Sequence, residues 1–397
     1  MLFFSESVDI LKLDFCYEAG STYQPLPLYA SSTVEMMRRG TATYSPQRLA
    51  EFLDRRGIYF STVGGLYTAT LTAYLLPRYA AEFFPVMREI LTAPSFPEED
   101  LRVFCRHKRQ ELTANFQRTA FVARNLFLHT LYGELRPEGR YAVPDDVDRV
   151  TVEGLRRYFD ERFPLHAAKR SLAGHYDDSV LEAFRACFGS PDDEQSTRVA
   201  PGEPLLQLPS RRQVVRHSLG LSGPQASLRV GRLLPFRSTD SDAAPFEVLC
   251  CILGGYFGSR LMRNIREDKG YTYGVYCRTR IQRSGVCFEV LSDVASESVD
   301  AALTEVYREM EDLCRQPVGD DELQLVRQYM EGEFLRSIDG IFERADRWQQ
   351  LAALGVDERV YTENLLHAIR HTTADQLMRL AQQYLHPDTM TEVVVMG

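Results

Sequence analysis

Apolar and polar positions alternate with two different periods along this chain. After Ser45-Pro46, apolar residues at Leu49, Phe52 and Leu53 are followed by Gly57. A serine N-cap, a first-turn proline, a stripe at helical spacing and a closing glycine predict a short helix. Tyr67, Ala69 and Leu71 then alternate after Gly64-Gly65, which predicts a hairpin. Residues 271–279 and 286–291 form a second alternating pair around Ser284-Gly285, and helical spacing fills 85–91 and 301–314. Strands that pair locally, followed by runs of helix, predict an α+β fold rather than an alternating doubly wound sheet.

The pattern repeats. Phe96-Pro97-Glu98-Glu99-Asp100-Leu101 opens a helical stretch that carries Glu111, and Pro317 to Leu323 opens one that carries Glu333. Thr151 to Leu155 precedes Tyr158 and Pro164, as Thr373 to Leu377 precedes Tyr384 and Pro387. Leu101 and Leu323, Glu111 and Glu333, and Leu155 and Leu377 are each 222 residues apart. Equal offsets of this kind predict a duplicated unit of about 200 residues. Between the copies, 189–212 turns polar and then proline-punctuated, as a linker does. The expected organisation is an N-terminal domain at 1–188, a linker at 189–212 and a C-terminal domain at 213–397, each a mostly antiparallel sheet covered by helices.

Composition narrows the function classes. A net charge of -9 argues against a nucleic-acid binder, which needs a basic footprint. No stretch approaches the roughly 20 apolar residues of a membrane span. Met1 to Phe4 lacks the basic and long apolar regions of a signal peptide, so a cytoplasmic location is the expectation. The eight cysteines form no CxxC pair and read as reduced, mostly buried thiols. No Walker-type phosphate loop, nucleotide fingerprint or serine elbow occurs. His367 and His371 have the i, i+4 spacing of metal ligands, but Arg370 stands between them where a cation would be repelled. His107, four residues before Glu111, has no third partner in view.

One stretch is more specific. Leu253-Gly254-Gly255-Tyr-Phe257-Gly-Ser259-Arg260-Leu261 is followed by Ile265-Arg266-Glu267-Asp-Lys269-Gly270-Tyr271-Thr-Tyr273. This resembles the C-terminal domain signature of the insulinase/pitrilysin family of zinc peptidases, in which a glycine-rich turn opens a helix that ends at Lys-Gly before a strand. The family's inverted HxxEH motif precedes a Gly-Thr pair, and here Gly40-Thr41 is preceded by Ser31 to Arg39. The resemblance places the two histidines at Ser31 and Glu35 and the catalytic base at Val34. Glu111, 76 residues after Glu35, falls near the third-ligand position.

Two histidines one helical turn apart share a zinc ion with a distant carboxylate and leave a position for water. The ion acidifies that water and the glutamate takes its proton. Val34 takes no proton, and Ser31 is a poor zinc ligand. The resemblance therefore implies no catalytic residue and no zinc in this chain. It also implies that Arg266 and Tyr273, at the family's spacing of seven residues, reach the substrate peptide. In two-chain members, such as the mitochondrial processing peptidase and bacterial pairs, one subunit carries zinc and the other contributes binding surface. The implied function is a non-catalytic homologue that binds peptide and completes the chamber of a heterodimeric metallopeptidase, as half of a clamshell. The implied partner is an HxxEH-bearing homologue, or a second copy of the chain. A scaffold or assembly subunit, and an independent metallopeptidase with an unrecognised site, are the alternatives. Met1 to Ile10 is short for the strands that open the family fold.

Overall fold

A computed structural model describes residues 1–190, 204–206, 212–221 and 223–397. The expected linker lies outside them apart from 189–190, 204–206 and 212.

The chain builds two five-stranded sheets. The first half runs β1 (Leu2–Phe4), β2 (Leu11–Tyr17), α1 (Tyr29–Met37), α2 (Pro46–Asp54), β3 (Tyr59–Gly64), β4 (Ala69–Leu75), α3 (Ala80–Thr92), α4 (Glu98–Asn115), α5 (Thr119–Tyr132), α6 (Val152–Arg162), β5 (Lys169–Gly174) and α7 (Asp178–Phe188). The second runs β6 (Gln213–Ser218), β7 (Gln225–Leu234), α8 (Ala243–Cys250), β8 (Thr272–Gln282), β9 (Gly285–Ala295), α9 (Val299–Arg315), α10 (Asp320–Ser337), α11 (Ile341–Leu354), α12 (Glu358–His371), α13 (Ala374–Tyr384) and β10 (Thr391–Met396). Strand orders are β1-β5-β2-β4-β3 and β6-β10-β7-β9-β8. In each sheet the first strand pairs in parallel and the rest are antiparallel. The α+β expectation is thus realised twice with one topology. The 222-residue offset carries α4 onto α10, α5 onto α11, α6 onto α13 and β5 onto β10, end for end.

Local signals behave as their chemistry dictates. The Ser45 hydroxyl accepts from the Arg48 amide and Pro46 takes the first helical position of α2. The two hairpins fall at β3–β4 and β8–β9. All eight cysteines are unbridged. The opening strand β1 has three residues.

The compact units cross the boundary between halves. One comprises Met1–Thr113, Tyr141–Ala200 and Ser337–Ala353, and the other Ala114–Arg140, Pro201–Arg336 and Leu354–Gly397. The expected domains at 1–188 and 213–397 each supply one sheet, but each also gives a helix to the other unit: α5 joins the second and most of α11 the first. The 18-residue helices α4 and α10 carry the chain about 27 Å before α5 and α11 begin. That distance is invisible to a boundary drawn from composition.

Strand alternation gives each sheet two distinct faces. On one face of the first, Phe15 packs with Phe84, Phe184 and Phe188. In the second sheet the corresponding cluster is Phe236, Phe246, Phe288 and Tyr384. The remaining face of each sheet takes the exchanged helix. Val122, Ala123, Phe127 and Leu131 of α5 pack on Leu233, Cys287, Val393 and Val395. Gly231 makes this close approach possible, since a Cβ there would stand 3.0 Å from the Phe127 ring and 2.0 Å from the Phe288 carbonyl oxygen.

Candidate functional site

Helix α1 carries the positions at which the resemblance places a metal motif. Its apolar side buries Tyr29, Ala30, Val34, Met36 and Met37, which leaves Ser31, Glu35, Arg38 and Arg39 toward the open side. Positions 31 and 35 therefore share one face, as i, i+4 spacing dictates. Val34 is sealed inside at 1% exposure, where no water could be activated. The Ser31 hydroxyl donates to the Leu28 carbonyl at 3.2 Å. Leu28 begins the helix in the left-handed region, with φ 72°, a strained start for a branched residue. Strand β3 presses on this turn: a Cβ on Gly64 would come within 2.7 Å of the Ser31 Cα.

The Glu35 carboxylate is already engaged. It accepts from Arg39 at 2.6 Å and from the Thr62 hydroxyl at 3.3 Å, with Arg38 at 3.9 Å. Glu111, on α4, is exposed and accepts from Lys108 at 2.9 and 3.0 Å. Two carboxylates, each paired with a cation on its own helix, and one hydroxyl turned to a backbone carbonyl do not fit a zinc ion. Among the described residues, no three His, Cys, Asp or Glu side chains come together as a metal site. His367 and His371 stack edge to face at 4.6 Å on α12, beside an Arg370–Glu331 pair at 2.7 Å.

Arg266 and Tyr273 are placed differently. Widened π-type turns form Cys251–Gly255 and Met262–Asp268, with Gly254 breaking the first. Arg266, in the last turn of the second, lays its guanidinium over Phe257 at 4.4 Å, with Glu267 at 3.8 Å. Phe257 is itself largely exposed, and sequence reasoning did not single it out. Tyr273 follows at the start of β8, the edge strand, and is 93% exposed. The register of β8 on β9 slips between Thr272 and Val275, and the Gly274 amide donates to the Thr272 hydroxyl at 3.0 Å. A bulge of this kind re-aims a side chain out of the ladder.

A third group was also missed. Glu289 of β9 is fully buried, and Arg278, Arg280 and Arg229 reach it at 2.5, 2.9 and 3.5 Å. Burial pushes its carboxyl up, but Arg280, Arg278 and Arg229 outweigh burial and hold it below the ordinary value. The available sequence signal was a glutamate inside an apolar strand opposite arginines two residues apart.

Residues 149–330 match the family model described as the peptidase M16 inactive domain. An uncharacterized zinc protease of Streptomyces coelicolor is 24% identical over 309 residues, covering 76% of this chain and 66% of the relative. A non-peptidase homolog of Helicobacter pylori is 22% identical over 255 residues, covering 63% and 57%. The chain thus spans less than two thirds of the length of these two curated relatives. The crystal structure of a peptidase M16 inactive domain from Pseudomonas fluorescens shares the fold, with a TM-score of 0.83 at 19% identity over 100% of this chain and 95% of that one. A ferredoxin protease in complex with Arabidopsis ferredoxin has a TM-score of 0.71 at 14% identity, with 100% of this chain covering 44% of that one. The doubled sheet topology, the glycine-rich stretch and these matches make the chain similar to the insulinase/pitrilysin (M16) family of zinc peptidases, with the match to its inactive-domain model spanning residues 149–330.

Proposed function

We propose that this chain is a non-catalytic peptidase homologue that binds an extended peptide and completes the chamber of a two-chain metallopeptidase whose partner carries HxxEH. The observation that carries the reading is an asymmetry. The positions needed for zinc chemistry are paired or buried, whereas Tyr273 stands exposed on the edge strand and Arg266 lies over the exposed Phe257 with Glu267 at 3.8 Å. A guanidinium donates to a peptide carbonyl in a fork, and a phenol adds one more bond near a developing oxyanion. Neither role requires a metal in this chain. The fold is compatible with the same reading: this chain matches 44% of the ferredoxin protease, whose structure was determined with ferredoxin bound.

The test is reconstitution. The chain is mixed with an HxxEH-bearing homologue from the same genome, and cleavage of an unfolded protein is followed. Cleavage should rise on mixing. The Arg266→Ala/Tyr273→Phe variant should lower it about tenfold or more, the scale of one lost charge-assisted bond. Complex formation with cleavage unchanged in the variant would point to a scaffold subunit. Absence of any complex would overturn the reading.

A further inference from the structure

The interior pairing of Glu289 is unbalanced, and the imbalance opens outward. Residues of β8 alternate in direction, so Tyr276, Arg278 and Arg280 share one face, opposite Leu291, Glu289 and Cys287 of β9. Arg229 of β7 and Arg124 of α5 complete the surroundings: the Arg124 guanidinium, disfavoured first by desolvation, also feels Arg280, Glu289 and Arg278. Three guanidiniums thus pair with one buried carboxylate, and a fourth, that of Arg124, lies within electrostatic reach of it. The other acid there is Asp293, which accepts from Ser227 and draws on Arg229. Four positive charges against two negative leave an excess of two among the described residues, on a chain whose net charge is -9.

The group is not sealed. The Arg278 side chain is 48% exposed and that of Arg280 is 28% exposed, and β8 is the edge of its sheet. Arg280 Nε is shielded from solvent and has no acceptor, so a ligand would meet only the exposed edges of the two guanidiniums. Glu289 engages inner donors and orients the guanidiniums, leaving those outer edges for another carboxylate.

We propose that this arginine ledge binds the carboxylates of an acidic peptide segment, so that Asp- and Glu-rich stretches are what the chain selects. The proposal rests on the peptide-binding reading above and names its substrate class. Tyr276, more than half exposed beside Arg278, supplies an apolar surface for the same segment.

Fluorescence anisotropy on the full chain tests it with three labelled peptides of equal length. One is rich in Asp and Glu, one has those residues replaced by Asn and Gln, and one is rich in Lys. The acidic peptide should bind about tenfold or more tighter than its amide twin, the scale of one charge-assisted bond, and should weaken as salt rises. Arg278→Gln, at the more exposed position, should remove most of that preference. Arg124→Gln, outside the ladder, gives a second reading if the first variant unfolds by circular dichroism. Equal binding of the acidic and amide peptides overturns the ledge and leaves peptide binding standing. A preference for acidic peptide untouched by both variants overturns the assignment to these arginines. No binding of any peptide overturns both readings.

Discussion

The two sheets have one strand order and each receives a helix from the other half of the sequence, yet the two junctions are built from different chemistry. On the first sheet the junction with α11 is polar. Lys12 is buried between Asp14 at 3.1 Å and Asp346 of α11, and Gln349 reaches Thr70 at 3.2 Å. Asp14 also accepts from Thr72 at 2.7 Å and Ser171 at 2.9 Å. Burial disfavours the Lys12 ammonium, but Asp14 and Asp346 outweigh it and raise its pKa. On the second sheet the junction with α5 is an apolar plug, with the arginine group around Glu289 as its ionic neighbour. Equivalent places in a duplicated fold thus keep topology while the means of cohesion diverge. Burial can be satisfied by an apolar surface or by a fully paired charge, and only the second fixes geometry through directional bonds.

The apolar junction should be the more sensitive to a single truncation. Phe127→Ala should cost about 3–5 kcal/mol, because a fully buried ring leaves a cavity that α5 cannot close. Urea unfolding measures it, and a loss below about 1 kcal/mol would mean that α5 does not anchor the second unit. On the first sheet, Asp14→Ala should cost about 3 kcal/mol by leaving a buried ammonium half paired. The joint change Lys12→Met/Asp14→Leu should recover part of that loss, since an apolar pair removes the buried ammonium while the Thr72 and Ser171 hydroxyls lose their acceptor. If the double variant is as unstable as the single one, the polar junction is structural in a way the apolar one is not.

The ionic neighbour of the second junction has its own signature. Glu289→Gln should cost about 2 kcal/mol at neutral pH by stranding the buried Arg229 and weakening the pairing of Arg278 and Arg280. The folded carboxyl lies below its ordinary value, so as pH falls the unfolded chain takes up the proton first. The contribution is therefore complete above the usual glutamate pKa of about 4.3 and fades as pH falls through the lower folded value. The stability gap between wild type and variant should narrow from about pH 5 downward. A gap constant across that range would show that Glu289 is not held ionised by its arginines. The smallest effect belongs to Glu35→Ala, which removes a half-exposed helix pair and should cost less than about 1 kcal/mol. A loss of several kcal/mol would mean that Glu35 does more than pair with Arg39.

Sites differed in how readable they were. Ser31, Val34 and Glu35 could be read locally because a helix motif is local: spacing puts 31 and 35 on one face and Val34 on the buried side, and side-chain type gives the chemistry. Arg266 and Tyr273 were legible as a spaced pair, but the bulge at Thr272 to Val275 that turns Tyr273 outward depends on a hydroxyl meeting a backbone across the ladder. Phe257 beneath Arg266 was missed because the two stand nine positions apart and only the widened turn at Met262–Asp268 brings the guanidinium back over the ring. The arginines around Glu289 of β9 come from β7, β8 and α5, and no local window contains them.

What the sequence determined by itself is what can be written in a few adjacent residues: the caps of α2, the hairpins, the repeat at 222 residues and the glycine-rich signature. Tertiary structure alone decided the exchange of α5 and α11, the pairing of Glu35 with Arg39 and Thr62, and the convergence of three arginines on one carboxylate with a fourth within electrostatic reach. Periodicity tells a helix to bury a face, but which sheet receives that face is settled by chain reach and by the complementary surface, and both are properties of distant residues brought together.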